Sequence, residues 1–176
     1  MTRYLLPVVV FALLVGVFSV GLTKDPSKLP SPLLGGPVPE FELPELTRPG
    51  VTVSDDDLRG RYSLVNVWAS WCFACRQEHD FLLNLNESGT ISVYGLNWRD
   101  DLGNARRWLA DLGDPYVATA VDQDGRTGID FGVYGAPETF LIDPDGNVIH
   151  KHVSPMTAEV WARDFEPLIR AGGSRQ

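Results

Sequence analysis

The sequence predicts an α/β domain with a mixed central β-sheet that is flanked by helices. Two observations support this fold class. Strand-like and helix-like segments alternate from position 41 onward, and the last two strand candidates are joined by a tight-turn sequence before a final helix. The pattern therefore favours strands connected through helices, with an antiparallel hairpin near the end of the chain.

The composition fits one domain of ordinary size with an appendage. The chain has 176 residues, of which 44% are hydrophobic, so it can bury a substantial core. Its formal net charge is −8 at pH 7. This charge argues against nucleic acid as a partner, because nucleic-acid-binding proteins present a basic face.

The first 23 residues are typical of a signal anchor that crosses a membrane once. Residues 5–22 contain no charged side chain and approach the ~20 residues that span a bilayer. Arg3 precedes them, which predicts a cytoplasmic N-terminus and an exported domain. Removal of the segment as a signal peptide is the alternative. A Pro/Gly/Ser-rich linker is predicted at 24–39, a domain at 40–171 and a flexible tail at 172–176.

The strand candidates follow from short apolar runs and their flanking turn residues. Runs at 41–43 and 51–53 suggest an N-terminal hairpin, and the runs at 62–68 and 91–96 suggest central strands. The remaining candidates are 116–121, as an edge strand, and 140–142 and 148–153, joined by the turn at 143–147.

Three helices are predicted from apolar residues at helical spacing. The first follows Cys72, and the second covers 105–112, with Gly113 as its C-terminal cap. The third lies at the C-terminus, where Pro167 should kink or shorten it.

Cys72 and Cys75, the only cysteines of the chain, carry the candidate chemistry. They stand between a strand pattern and a helix pattern, and their spacing allows a small disulfide ring that closes and reopens. At a helix start, unpaired N–H groups and the helix dipole lower the pKa of the first thiol. We expect Cys72 to be exposed and nucleophilic, Cys75 to be shielded and to resolve the mixed disulfide, and Trp71 to cover one side of the pair.

Other interpretations of the pair remain open at this point. A structural disulfide would enclose so small a loop that it would stabilise the fold only modestly. A zinc or copper site would need further ligands, which His79, His150 and His152 could supply. On a strand, His150 and His152 would point to the same face.

Three stretches, at 64–79, 94–101 and 132–143, resemble the thioredoxin superfamily and, within it, the CcmG/DsbE type of membrane-anchored thiol:disulfide oxidoreductases of cytochrome c maturation. The third stretch is the most specific. The resemblance covers about residues 37–169. It implies a thioredoxin-like fold with an N-terminal extension and an insertion before the proline segment.

The resemblance also implies roles for individual residues. Cys72 matches the attacking thiol and Cys75 the resolving thiol. Pro137 matches a proline that is cis in this fold, so that backbone at Ala136 can pair with an extended substrate segment. Trp98 and Tyr134 are expected to wall the substrate groove, with core packing as the alternative.

Asn66 occupies the position where ordinary thioredoxins carry a buried aspartate that accepts a proton from the second thiol. An asparagine cannot take up this proton. Glu78 and Glu138 match acidic residues of the family, and we hypothesise that one of them accepts the proton of Cys75, provided that it is partly buried. The alternative for each is a solvated surface carboxylate.

The function that the resemblance implies is reduction of disulfides in apocytochrome c or in a thiol protein of the maturation machinery. Electrons would come from a membrane thiol carrier, and no cofactor or metal is expected beyond the Cys72–Cys75 disulfide. The expected location is the bacterial inner membrane, with the catalytic domain on the periplasmic side. A general exported reductase or oxidase is an alternative, as are a tethered metal-binding module and, with less local support, a peroxidase.

Overall fold

The computed structural model describes residues 2–22 and 33–173 and divides the chain into two compact units, residues 1–30 and 31–176. In the first unit, Thr2–Leu22 form one helix, α1, with Pro7 inside it. Judged on the described residues, no helix combines the length and the hydropathy that crossing a bilayer takes. Residues 24–32 of the predicted linker and residues 174–176 of the predicted tail lie outside the described ranges.

A five-stranded mixed sheet forms the centre of the second unit. Its strands stand in the order β5-β4-β3-β6-β7, and a separate two-stranded hairpin, β1-β2, precedes it. The pairs β3/β4 and β4/β5 are parallel, and β3/β6 and β6/β7 are antiparallel. The bounds are β1 Glu42–Pro44, β2 Thr52–Ser54, β3 Ser63–Trp68, β4 Ser92–Trp98, β5 Ala118–Asp122, β6 Glu138–Ile142 and β7 Val148–Val153.

Helices connect the parallel strands and close the domain. The bounds are α2 Phe73–Glu87, α3 Leu102–Leu112, α4 Arg126–Asp130, α5 Ala158–Val160 and α6 Glu166–Gly173, with a short 3₁₀ turn at Asp55–Leu58. Trp161–Phe165 form a π-helical turn between α5 and α6. Pro167 lies just beyond this turn. The disturbance predicted for the last helix is therefore the π-helical turn that precedes the proline, and the helix continues after Pro167.

The two faces of the sheet bury separate apolar clusters, because neighbouring residues of a strand point to opposite faces. On β3, Leu64 and Trp68 belong to the first cluster and Val65 and Val67 to the second. The first cluster also contains both cysteines and residues of α2, α3 and the C-terminal helical segment. The two cysteines are therefore part of this first core.

Residues 35–46 connect opposite edges of the sheet. Gly35 and Val38 donate backbone hydrogen bonds to Val148 and Gly146, at the β7 side. Leu46 donates to Thr119 of β5, at the other edge. We call residues 35–46 the N-terminal strap. Since its first residues are bonded to the domain, the folded domain begins before position 40, inside the segment that composition assigned to the linker.

The predicted strands and the hairpin are confirmed, with boundaries that shift by one or two residues. The α4 helix was not predicted. It has only five residues, starts after Gly125 in the left-handed conformation (φ 78°), and is tied to Asp122 by hydrogen bonds from the amides of Thr127 and Gly128. β5 and α4 lie between α3 and the proline segment, where the resemblance implies an insertion.

Candidate active site

Cys72 and Cys75 form a disulfide at the N-terminus of α2. Cys72 is the N-cap residue, and its Sγ accepts a hydrogen bond of 3.0 Å from the backbone N–H of Cys75. The first sulfur thus lies where the helix presents unpaired N–H groups and the positive end of its dipole. This arrangement favours a thiolate at Cys72 once the disulfide is reduced.

The disulfide is enclosed by the first core cluster. Cys72 is 4% exposed and Cys75 is 3% exposed. The prediction that Cys72 is exposed is therefore wrong for the oxidised protein, while the shielding of Cys75 is confirmed. The cause is tertiary packing, because Trp68 and Ala69 of the same cluster precede the motif and Ala136 packs against that cluster from another loop.

The peptide bond between Ala136 and Pro137 is cis, as the resemblance implied. The bond immediately precedes β6, which pairs with β3, the strand that leads into the cysteine motif. Pro137 is buried. Ala136 packs against the cluster that contains both cysteines, and Glu138 pairs with Val67 near the end of β3, so this loop lies at the same end of the sheet as the disulfide.

Asp100 fixes the loop before the disulfide to the loop after β4. Its carboxylate accepts two hydrogen bonds from Ser70, one from the backbone N–H and one from Oγ at 2.6 Å. It also accepts from Asn97 Nδ2 at 2.9 Å and from the N–H of Asp101 at 2.8 Å. Asp100 is buried, and the sequence analysis did not single it out. Its position two residues after a central strand was a detectable signal.

Aromatic side chains form an exposed rim around the buried disulfide. Trp71 is 56% exposed and Phe73 is 78% exposed, and these two residues flank Cys72 in sequence. Trp71 donates its indole N–H to the carbonyl of Arg99 and lies 6.3 Å from the ring of Trp98. Trp98 packs partly against the second core cluster, which agrees with the core-packing alternative, and its role in a substrate groove stays a prediction.

Glu78 is buried at the sheet, one turn after Cys75 on α2. Its Oε1 accepts a hydrogen bond of 2.8 Å from Asn66 Nδ2, and its Oε2 accepts one of 2.7 Å from the N–H of Met156. Burial raises the pKa of Glu78 to about 7, although both hydrogen bonds act in the opposite direction. The alternative of a solvated surface carboxylate is therefore wrong for Glu78.

Asn66 stands at the centre of a buried polar network. Besides its bond to Glu78, its Nδ2 donates to Thr139 Oγ1 at 3.0 Å, and its Oδ1 accepts from the hydroxyl of Tyr116 at 2.8 Å. Burial raises the pKa of Tyr116 well above its ordinary value, and the nearby Glu78 carboxylate adds to this effect. Asn66 therefore holds Glu78 in place and does not itself titrate.

Glu138 is also buried, but it is committed to an ion pair. Its Oε2 lies 2.9 Å from Lys151 Nζ, and both side chains are almost fully buried. Its Oε1 accepts hydrogen bonds from the backbone N–H groups of Tyr134 and Gly135. The solvated alternative is thus wrong for Glu138 as well, and its carboxylate supports the loop that carries the cis proline.

The structure also shows the surroundings of Tyr134 and of the three histidines considered as metal ligands. Tyr134 is 63% exposed, and Lys151 Nζ lies 4.6 Å from the centre of its ring. His79 is buried, with Nε2 3.0 Å from the carbonyl oxygen of Gly113. His150 and His152 share one face of β7, as predicted, and both rings contact Phe165. Within the described ranges, no group of three or more His, Cys, Asp or Glu side chains is placed to hold a metal ion.

The fold and the site together define a thiol:disulfide oxidoreductase of the thioredoxin-like class. A cysteine pair closes a disulfide at a helix N-terminus, a cis proline precedes the strand that pairs with β3, and a mixed sheet with flanking helices supports both. Comparisons with known proteins agree with this class. The family model described as Redoxin matches residues 33–167.

Several curated relatives share the name thiol:disulfide interchange protein DsbE. The protein of Allochromatium vinosum is 47% identical over 167 residues, which cover 95% of this chain and 92% of the relative. The protein of Escherichia coli K12 is 42% identical over 170 residues, covering 93% and 91%. A solved structure of a putative DsbE from Chlorobium tepidum is 30% identical, with a TM-score of 0.63, and covers 75% of this chain and 93% of that one. The chain belongs to the DsbE family of thiol:disulfide interchange proteins.

Proposed function

We propose that this protein is an exported, membrane-anchored reductant of protein disulfides that acts in the biogenesis of c-type cytochromes. The observation that carries the proposal is the match to DsbE proteins along nearly their whole length, combined with a Cys72–Cys75 pair in disulfide geometry. The substrate would be apocytochrome c or a thiol protein of the maturation machinery. The electron donor would be a thiol carrier in the membrane.

The proposed reaction is a two-step thiol–disulfide exchange. The Cys72 thiolate attacks one sulfur of the partner's disulfide, and the other partner sulfur leaves as a thiolate. The Cys75 thiolate then attacks Cys72 in the mixed disulfide and releases the second partner sulfur. The partner gains two electrons and two protons, and the enzyme ends with the Cys72–Cys75 disulfide, which needs a membrane thiol donor for its reduction.

Glu78 is the better of the two proposed acceptors for the Cys75 proton. It lies one turn after Cys75 on the same face of α2, and its pKa of about 7 suits proton exchange near neutral pH. Glu138 is instead paired with Lys151 and bonded to the proline loop. A water molecule between Cys75 and Glu78 would complete the transfer, and no cofactor or metal is needed for any step.

Membrane anchoring and export rest on the first unit of the chain. Residues 5–22 are uncharged and follow Arg3, which favours a single span with the rest of the chain outside the cytoplasm. We propose that the disulfide domain faces the periplasm from the bacterial inner membrane. Thiols in that compartment tend to be oxidised, so a reductant there requires the dedicated electron supply named above.

Trapping of partners tests the proposal most directly. A Cys75→Ala variant cannot resolve the mixed disulfide, so partners should accumulate in covalent complexes through Cys72. We expect apocytochrome c or a thiol protein of its maturation among the trapped species. The matched control is Cys72→Ala, which keeps one thiol but lacks the attacking one and should trap little.

The identity of the trapped proteins decides between the alternatives. Recovery of many unrelated exported proteins, without any component of c-type cytochrome maturation, would leave only a general exported thiol oxidoreductase. The direction of the reaction is tested separately, by equilibrating the purified domain with a thiol/disulfide buffer of known potential. A strongly oxidising Cys72–Cys75 couple would contradict the proposed role as a reductant.

A further inference from the structure

A groove of 340 Å³ lies between α3 and the N-terminal part of α2, one residue away in sequence from Cys72. Ser70 and Trp71, which directly precede Cys72, form one wall, and Arg76 of α2 borders it. One face of α3 forms the other wall, because its lining residues recur at helical spacing. These residues are Asn104, Arg107, Trp108, Asp111 and Leu112.

The groove is held in shape by contacts that do not depend on a ligand. The ring of Trp108 lies 6.2 Å from that of the buried Trp68, and its indole N–H points at His79 Nδ1 at 3.4 Å. Asp100, two residues before α3, binds both the N–H and the hydroxyl of Ser70. The two walls are therefore fastened to each other and to the core.

Two exposed arginines at the groove form no ion pair with any carboxylate of residues 2–22 or 33–173. In the part of the chain that the structure describes, the ion pairs involve Arg48, Arg59, Arg126, Lys151, Arg163 and Arg170. Arg76 instead lies over the ring of Trp108, with its Cζ 5.6 Å from the ring centre. Arg107 projects from the same wall as Trp108 and, like Arg76, is exposed. Asp111 is the one carboxylate in the lining, so the groove carries a net positive charge.

A positive groove is unexpected on a chain whose formal net charge is −8. The long-range field of such a chain repels acidic partners, so a local attraction for a carboxylate has to come from nearby groups. Guanidinium groups bind carboxylates through paired, charge-assisted hydrogen bonds. The Trp71 and Trp108 rings add apolar surface for the rest of a bound segment.

We propose that this groove is a docking subsite for an acidic segment of the polypeptide that carries the target disulfide. A carboxylate next to the disulfide would bind Arg76 and Arg107, while the backbone of the segment lies over the aromatic rings. The inference rests on the proposed reductase function and specifies the chemistry of its substrate. It predicts that the enzyme prefers acidic substrate segments, although its own net charge is negative.

The test uses two synthetic peptides that are identical except beside one cysteine. Each is closed by a single disulfide, with two Asp residues next to the cysteine in one peptide and two Lys residues in the other. The readout is the ratio of the rate constants with which the reduced full-length protein reduces the two peptides. This ratio cancels any effect that a substitution at Arg76 has on the reactivity of the neighbouring cysteines.

We expect the wild-type protein to reduce the Asp peptide about fivefold faster than the Lys peptide, as expected for one or two solvent-exposed ion pairs. The double variant Arg76→Gln/Arg107→Gln should lose the preference, and Arg107→Gln alone should lose part of it. The control is Arg163→Gln/Arg170→Gln, which removes the same charge from the C-terminal helical segment and should keep the wild-type ratio. High salt should reduce the ratio for the wild type.

Each other outcome is decisive. Equal rates for the two peptides, or a faster reaction with the Lys peptide, would overturn the docking subsite but leave the reductase function intact. Persistence of the Asp preference in the double variant would also overturn it. If the reduced protein acts on neither peptide, the proposed reductase function fails, and the subsite fails with it.

Discussion

At the scale of single residues, the main feature is the difference between the surroundings of two buried glutamates. Glu78 has only neutral hydrogen-bond donors around it, from Asn66 and the Met156 amide. Glu138 has the ammonium group of Lys151 at 2.9 Å. The two glutamates therefore differ in their environment: burial raises the pKa of Glu78, whereas an ion pair fixes Glu138.

The raised pKa of Glu78 predicts a characteristic dependence of stability on pH. The folded protein holds this proton up to a pH of about 7, whereas the unfolded chain releases it near the ordinary value of 4.5. The contribution to stability is thus complete below pH 4.5 and is lost as the pH rises toward 7. Relative to the wild type, Glu78→Gln should gain stability by up to about 3 kcal/mol between pH 5 and pH 8.

Urea denaturation of the oxidised protein at both pH values measures this difference. Glu87→Gln is the matched control, because Glu87 is an exposed carboxylate at the end of the same helix. Its free energy of unfolding should differ from the wild type by less than about 0.5 kcal/mol at both pH values. An equal shift for the two variants would contradict the role assigned to the burial of Glu78.

The proton-transfer role of Glu78 has a separate kinetic signature. Glu78→Gln should change the pH profile of thiol exchange near pH 7, whereas Glu138→Gln should leave the position of that profile unchanged. An unchanged profile in the Glu78→Gln variant would mean that Cys75 loses its proton by another route.

At the scale of the elements, hydrogen bonds fix the loop after β4 to the loop before Cys72. Asp100 accepts four hydrogen bonds and thereby ties the end of β4 to the residue two positions before Cys72. The cis-proline loop is supported in a similar way by Glu138. In both cases a buried carboxylate supports an irregular segment that backbone pairing within the sheet leaves unsupported.

Removal of the Asp100 carboxylate should therefore loosen the approach to the disulfide. Asp100→Ala leaves donors of the half-buried Ser70 and the buried Asn97 without an acceptor and should lower the free energy of unfolding by about 2–4 kcal/mol. The rate of disulfide exchange should fall with it, since Cys72 is less well positioned. Asp100→Asn keeps one acceptor oxygen and should lie between the wild type and Asp100→Ala. Denaturation and exchange kinetics on the three proteins check this order.

The sequence predicted the long elements well and the short or polar ones poorly. β3 is an apolar run and α3 has regular helical spacing, so both patterns follow from burial. α4, with five residues, is too short to show a helical period. The burial of Glu78 was detectable, because it shares the helix face of Cys75, Leu82 and Leu85. The Lys151–Glu138 pair and the burial of Cys72 depend on contacts across the sheet and from the proline loop, which local patterns do not contain.

At the scale of the whole molecule, the chain divides into an N-terminal helical unit and a folded redox domain. The division is consistent with the proposed membrane anchor, because the disulfide, the cis proline and the buried glutamates all belong to the second unit. The second unit also contains both apolar clusters. It should therefore fold without the first unit.

A chain that starts at Ser31 tests this division. We expect it to have the same midpoint of thermal unfolding as the full chain, within about 2 °C, and the same rate of peptide-disulfide reduction. In cells, the full chain should fractionate with membranes and the shortened chain with the soluble proteins. Membrane association of the shortened chain would contradict the proposed anchor, and a lower unfolding temperature would contradict the independence of the domain.

The N-terminal strap has a further consequence for the edges of the sheet. Unpaired sheet edges invite pairing with other polypeptides and lead to aggregation. The strap occupies part of the outer edge of β5 through Glu45 and Leu46, and the start of β7 through Gly35–Val38. Chains that approach this sheet therefore find fewer accidental partners along its edges. This shortened open edge lowers the tendency of the protein to aggregate with them.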